Sequence, residues 1–211
     1  METKQVEIKT LFITFATIIS IEAVAKIIIS MTQDHLIIIL GATRLLEIIL
    51  IVLIWGKGIS SLGLGRSEMA SGFKKGLIWS AGFGIIIFFI FVILFFIGTN
   101  PLIFIQTGLP ENPSEIILFF FIAGIIGPIA EELFFRGIIY GFFRRWGMLF
   151  ALVLSVLVFV LAHPVLSRIP LTQVAGGIVF AVAYEVEGNL IAPITIHVLG
   201  NIAIFTISLI S

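Results

Sequence analysis

The sequence predicts an all-α protein, a polytopic transmembrane helix bundle of about seven spans. Three observations predict it. Apolar residues make up 60% of 211 and charged residues 11%, with 21 Phe, whereas a water-soluble domain of this length needs far more polar surface to cover its core. The apolar residues also fall in runs long enough to cross a bilayer, for which a helix needs about 20 of them at about 1.5 Å rise each. Finally, the runs are separated by short polar connections, and little chain is left for a soluble domain.

The expected spans are roughly 9–30, 35–55, 76–98, 115–143, 147–163, 169–187 and 189–210. They form a single integral membrane domain over 1–211, with N-terminal spans and a lead-in at 1–114 and a core at 115–205. The first run is too long to read as a cleavable signal peptide, and no small-residue cleavage site follows it. Basic and acidic residues number 12 each, and this balance carries no nucleic-acid signal. There is no cysteine, which excludes disulfides and thiolate chemistry. No internal repeat is evident, so a transporter built from duplicated halves is not suggested.

Alternating the spans places Lys4, Lys9, Lys57, Arg66, Lys74, Lys75, Arg144 and Arg145 on one side and Arg168 on the other. The positive-inside rule then predicts a cytoplasmic N-terminus and an external C-terminus in a cell membrane. The connection "GKGISSLGLGRSEMASGFKKG" is Gly/Ser-rich and has room for a short interfacial helix.

Polar residues within the spans sort into two groups. Glu22 and Lys26 are four apart and Arg44 and Glu47 three apart, spacings that allow self-neutralising pairs. Asp34 and His35 lie in a connection, and Glu185 and Glu187 flank the turn "YEVEGN", where they are expected to face water. The stretch "GPIAEELFFRG", residues 127–137, is different. An ionised group at the bilayer centre costs at least about 2.5–3.5 kcal/mol, and here the charges do not balance. Glu132 and Arg136 can pair along one face. Glu131 is rotated by about 100° and has no partner in sequence. A carboxylate without a cation beside it is the group best placed to take a proton from water.

Two histidines and an asparagine complete the set. His163 ends the fifth run in "FVLAH", and Pro164 after it disfavours helical geometry at His163. His197 and Asn201, in "HVLGN", are four apart on one face of the last span. A carboxylate, two imidazoles and a carboxamide can activate water and bind an oxyanion. Pro128 and Pro193 each remove a helical hydrogen bond near these groups, which calls for a wet internal cavity. Gly124, Gly127, Gly176 and Gly177 would let neighbouring helices approach closely. One tension remains. Glu131 lies near the middle of its span and His163 at the outer end of its own, so sharing a water demands a misplaced boundary or a strongly tilted helix.

Glu131-Glu132-xxx-Arg136, Phe159-xxx-His163 and His197-xxx-Asn201, in this order on successive spans, resemble the CAAX protease and bacteriocin-processing family. These are glutamic intramembrane endopeptidases that include the Rce1-type prenyl-protein protease. The resemblance runs from about 115 to 205, and the lead-in "SLGLGR…GFKKGL" is similar too. It implies an intramembrane catalytic cavity in which Glu131 is the general base and His163 helps hold the water. It further implies that His197 and Asn201 bind the oxyanion, that Glu132 and Arg136 organise the site, and that no metal or other cofactor takes part. The implied substrate is a membrane-associated polypeptide cut near its C-terminus, by a monomer. Two other readings stand beside it. Glu131, His163 and His197 are also zinc-ligand types, although no HExxH pair is present. The same scaffold would also serve a non-catalytic membrane partner such as an immunity protein.

Overall fold

The computed structural model describes residues 6–32, 35–163 and 170–210. Lys4, Asp34, Pro164 and Arg168 lie outside these residues, and with them the expectations placed on Lys4, Asp34 and Arg168. The described residues are all-helical, with no strand among them. We number seven helical bodies: α1 Ile8–Thr32, α2 Leu36–Trp55, α3 Arg66–Phe96, α4 Pro113–Trp146, α5 Met148–Ala162, α6 Leu171–Glu187 and α7 Ile191–Ile210. α1 to α4 and α7 are each long and apolar enough to cross a membrane. α5 and α6 have only 15 and 17 residues, short of the about 20 that a full crossing needs.

The bodies match the expected seven in number and order, with corrected boundaries. α3 begins at Arg66, ten residues before the expected start, because "RSEMASGFKKG" continues as helix. The Gly/Ser-rich connection holds instead a single tight turn of 3₁₀ helix, Ile59–Leu62. Gly63 follows it with φ +79° and docks on the α6–α7 turn, where its carbonyl accepts from Leu190 N–H. A Cβ on Gly63 would lie 2.9 Å from the Asn189 backbone.

α4 carries the buried face of the molecule. From Ala130 to Phe142 nearly every residue is buried, and Leu133, Ile138, Ile139 and Tyr140 anchor the main apolar cluster with Ile51, Phe159, Ala181 and Leu190. α1 and α3, by contrast, expose large apolar side chains along most of their length, as helices facing lipid must.

α3 packs most extensively on α7. Gly72 and Gly76, in "GFKKG", make this possible: a Cβ on Gly76 would fall 2.5 Å from Thr195 Cβ, and one on Gly72 2.7 Å from Ile191 Cβ. Gly41 similarly seats α2 against Ile122, where a Cβ would meet Cδ1 at 2.6 Å. Of the four glycines expected to bring helices together, Gly177 faces Phe159 and Val156 of α5, and Gly124 meets Ile202 and Phe205 of α7 at ordinary contact distances. The neighbours of Gly127 and Gly176 belong to their own helices.

The expectations for three acidic residues change. Glu22 does not pair within α1 but crosses to Arg44 at 2.7 Å. Glu185 and Glu187 do not face water freely. Arg144 binds Glu185 through two nitrogens with Tyr140 O–H donating as well, and Lys75 and Trp79 hold Glu187. These residues tie the ends of α3, α4 and α6 together.

Candidate active site

α4 is not a uniform α-helix. Residues Ile122–Ile126 and Leu133–Tyr140 are π-helical, bracketing the short α-helical piece Gly127–Glu132. The cause of the first widened turn is legible in Pro128. Its ring crowds the carbonyl four residues back and offers it no N–H, and a wider turn relieves the clash. Gly127 N–H accordingly reaches back five residues to Ile122 O. Ala123 O, which Gly127 would serve in a regular helix, accepts instead from Asn201 Nδ2 at 3.0 Å. The proline thus sets the link between α4 and α7.

Pro193 behaves otherwise. It is the third residue of α7, inside the first turn, where a missing N–H loses no intrahelical bond. It loosens nothing, contrary to the sequence expectation. Asn189 caps that turn by accepting from Ala192 N–H.

The α4–α5 hairpin resolves the tension in depth. Gly147 turns the chain with φ +109°, a conformation that favours glycine. Glu131 and His163 are equidistant from Gly147 along the chain, and the hairpin brings Glu131 Oε2 within 3.8 Å of His163 Nε2. α5 stops after 15 residues, and His163 leaves it with extended backbone, φ −92° and ψ 148°, as the following proline predicts. Its end is therefore level with Glu131 rather than beyond it.

Five of the six expected residues form one connected set. Glu131 Oε2 lies 3.8 Å from His163 Nε2 and 3.7 Å from His197 Nε2. These gaps exceed a hydrogen bond, and each is short enough for one oxygen atom to bridge it. Oε2 has no hydrogen-bond partner among the described residues. Behind it, His197 Nδ1 sits 2.8 Å from Glu132 Oε1, and Arg136 Nη1 donates to the same oxygen at 3.0 Å. Glu132 and Arg136 are fully buried.

Burying an ion pair is costly unless further partners satisfy it. Arg136 Nη2 donates to Gly177 O at 3.1 Å, and its guanidinium lies 4.7 Å from the Phe159 ring centroid and 5.3 Å from that of Phe180. Such cation–π contacts contribute about 0.5–2 kcal/mol. Phe180 also stacks on His197, with centroids 4.4 Å apart and planes at 20°. Asn201 stands one turn beyond His197, linked to Ala123 as above.

The ring nitrogens are distinguishable by their partners. His163 Nδ1 is 2.8 Å from Phe159 O, an acceptor, so that nitrogen carries the hydrogen and Nε2 is bare in the neutral ring. Glu132 fixes His197 Nδ1 as a donor in the same way. Both Nε2 atoms are thereby turned toward Glu131.

Sequence reasoning missed Phe180, the carbonyl of Gly177 and the Glu22–Arg44 link. One phenylalanine among 21 has no distinguishing mark, and a carbonyl acceptor has none at all. The helical spacing of Gly176, Gly177 and Phe180 was the available signal for a close, aromatic-bearing face.

Residues 113–203 match the family described as Type II CAAX prenyl endopeptidase Rce1-like. The chain is also 34% identical over 111 residues to a protein of Staphylococcus aureus (strain USA300) named membrane-embedded CAAX protease MroQ, over 49% of this chain and 42% of that protein. It thus matches less than half the length of that relative. No solved structure matches. The matched segment contains Glu131, Glu132, Arg136, His163, His197 and Asn201 together, and over this segment the chain resembles the CAAX protease family.

Proposed function

We propose that this membrane protein is a glutamic endopeptidase of the cell membrane, hydrolysing a peptide bond near the C-terminus of a membrane-associated polypeptide. The convergence of Glu131 Oε2 with the Nε2 atoms of His163 and His197, at 3.8 and 3.7 Å, carries this reading. The family described as a prenyl endopeptidase and the relative named as a protease support it.

The chemistry follows from counting hydrogens. A water offers two O–H donors, and with both rings neutral three acceptors would face it. Glu131 and His163 take its two hydrogens, and the third group has to donate. His197 is the ring backed by a carboxylate, so its Nε2 carries the additional hydrogen and the Arg136–Glu132–His197–Glu131 row is charge-balanced. Glu131 removes a proton as the water oxygen bonds to the scissile carbonyl carbon. The carbonyl oxygen gains negative charge, which His197 Nε2–H and the second hydrogen of Asn201 Nδ2 stabilise. The C–N bond then breaks, with the proton from Glu131 passing to the leaving amine. Asn201 Nδ2 already donates one hydrogen to Ala123 O, which fixes the direction of the other.

The test compares cell membranes carrying wild-type protein with membranes carrying Glu131→Gln, scoring new C-termini by mass spectrometry with and without a chelator. Glu131→Gln keeps the side chain's shape and removes the base. Its expected effect is a loss of about 10²–10⁴-fold, the usual contribution of general-base catalysis, at unchanged yield and melting temperature. Turnover above about a hundredth of wild type contradicts the role of Glu131. Loss of activity to the chelator, restored by zinc, would favour a metal-dependent hydrolase instead.

A further inference from the structure

Outside the matched segment, α3 is longer than the hydrocarbon layer is thick. Its 31 residues rise about 46 Å, against about 30 Å of hydrocarbon. The uncharged stretch 77–96 covers that thickness by itself, which leaves the first three turns, 66–76, for the headgroup layer. The inner side of these turns is occupied. Gly65, Gly72 and Gly76 are buried, and the last two seat the helix on α7. The outer side carries Arg66, Phe73, Lys74 and Leu77 within about 100° of arc, all exposed. Met69 flanks them and is exposed too.

Subtracting the paired charges decides the sign of this end of the bundle. Lys75 is taken by Glu187 at 2.7 Å, Arg144 by Glu185 at 2.7 Å, and Lys57 lies 3.7 Å from Glu7. Glu68 turns back to accept from Gly65 N–H at 3.3 Å. Each acidic residue described here thus has a partner. Lys9, Arg66 and Lys74 have none among the described residues. The charge left over is positive, and on α3 it is interleaved with large apolar side chains.

We propose that the outer face of 66–77 is a docking surface for anionic phospholipid headgroups. Phe73 and Leu77 enter the acyl layer, and Lys74, between them in sequence, reaches the phosphates. Arg66, two turns further from the hydrocarbon, adds attraction from the water side. An occupant of this face has to present anionic and apolar parts together. It also has to lie in the plane of the bilayer, because the face runs on into the exposed apolar surface of Ile78, Ile85 and Phe88. An anionic phospholipid meets both requirements. Since Gly72 and Gly76 seat α7 on the inner side of the same turns, lipid held here steadies the support of the helix that bears His197 and Asn201.

The experiment needs no substrate, so its outcome is independent of the proposed chemistry. Full-length wild-type and variant proteins are reconstituted in vesicles of phosphatidylcholine and phosphatidylglycerol and then gently extracted. Native mass spectrometry counts the lipid that each retains. Wild type is expected to retain phosphatidylglycerol above its share in the vesicle, and raised salt should weaken this enrichment. Arg66→Gln and Lys74→Gln should each lower it by up to about fivefold, the effect of one cation at an anionic surface. Lys26→Gln makes the same change in net charge at an exposed residue of α1 outside this face, and should leave the enrichment as it was. Equal retention of the two lipids by wild type overturns the inference, and so does an enrichment that salt does not weaken. These two readings use wild type alone and stand if a variant fails to fold. An unchanged enrichment in the Arg66→Gln, Lys74→Gln double variant, or an equal fall in Lys26→Gln, overturns it as well.

Discussion

The role proposed for Asn201 in the reaction separates experimentally from its structural one. As the oxyanion donor of the proposed mechanism it would act mainly in the transition state, so Asn201→Ala should lower kcat by about 10²–10³-fold with little change in KM. Its bond to Ala123 O also ties α7 to α4, so a loss of about 1 kcal/mol in stability should accompany the kinetic effect. His197→Ala should resemble it kinetically, and the double variant should fall well short of the product of the singles. Kinetics and melting curves on the three proteins check this, and full activity in Asn201→Ala would remove it from the site. At this scale the sequence was informative wherever a residue was out of place. Charge inside an apolar run is expensive, so Glu131, Glu132 and Arg136 announced themselves. Phe180, apolar among apolar neighbours, did not.

At the scale of the element, the Glu132–Arg136 pair shows what α4 requires of its neighbours. Arg136→Leu leaves Glu132 buried with only His197 for a partner and should cost about 3–5 kcal/mol. Adding Glu132→Gln, which keeps an acceptor for His197 while removing the stranded charge, should recover most of the melting temperature. A wild-type melting temperature in Arg136→Leu would contradict the pairing. The α3–α7 contact gives a second test. Gly76→Leu would drive a side chain into Thr195 and the Ala192 carbonyl, and overpacking of this kind costs about 1–3 kcal/mol. Thermal unfolding of the detergent-solubilised variant reads it, and Gly84→Leu, at a glycine with open space around it, is the control. The pairing of Glu132 with Arg136 followed from helical spacing alone. The π-helical turns did not, since the first is the response of a packed helix to Pro128 and no periodicity encodes either. Likewise Glu22 was assigned to Lys26 because spacing within one helix was visible, whereas its real partner sits on another.

For the whole molecule, hydropathy located all seven helical bodies, and the errors were in length and depth. Runs of apolar residues do not reveal where a polar helix such as Arg66–Gly76 joins an apolar one. Nor do they show whether a short helix crosses the bilayer. The orientation predicted from the basic residues is directly testable because the chain lacks cysteine. Ser67→Cys and Ser114→Cys are single thiols near opposite ends of the bundle, both exposed. An impermeant maleimide added to intact cells should label position 114, and position 67 should react only after the membrane is opened. The reverse pattern would invert the topology.

Gly147 has a consequence for how the protein tolerates its surroundings. Glu131 and His163 are both measured from that one turn, as the jaws of a caliper are measured from its hinge. A thicker or thinner bilayer tilts a helical hairpin as a unit, and tilting a caliper does not change the opening between its jaws. A residue inserted into one arm would rotate one jaw by about 100° and raise it by about 1.5 Å. The gap between Glu131 and His163 is therefore protected from the membrane and vulnerable to the gene, and length variation in this protein should be confined to segments outside 131–163.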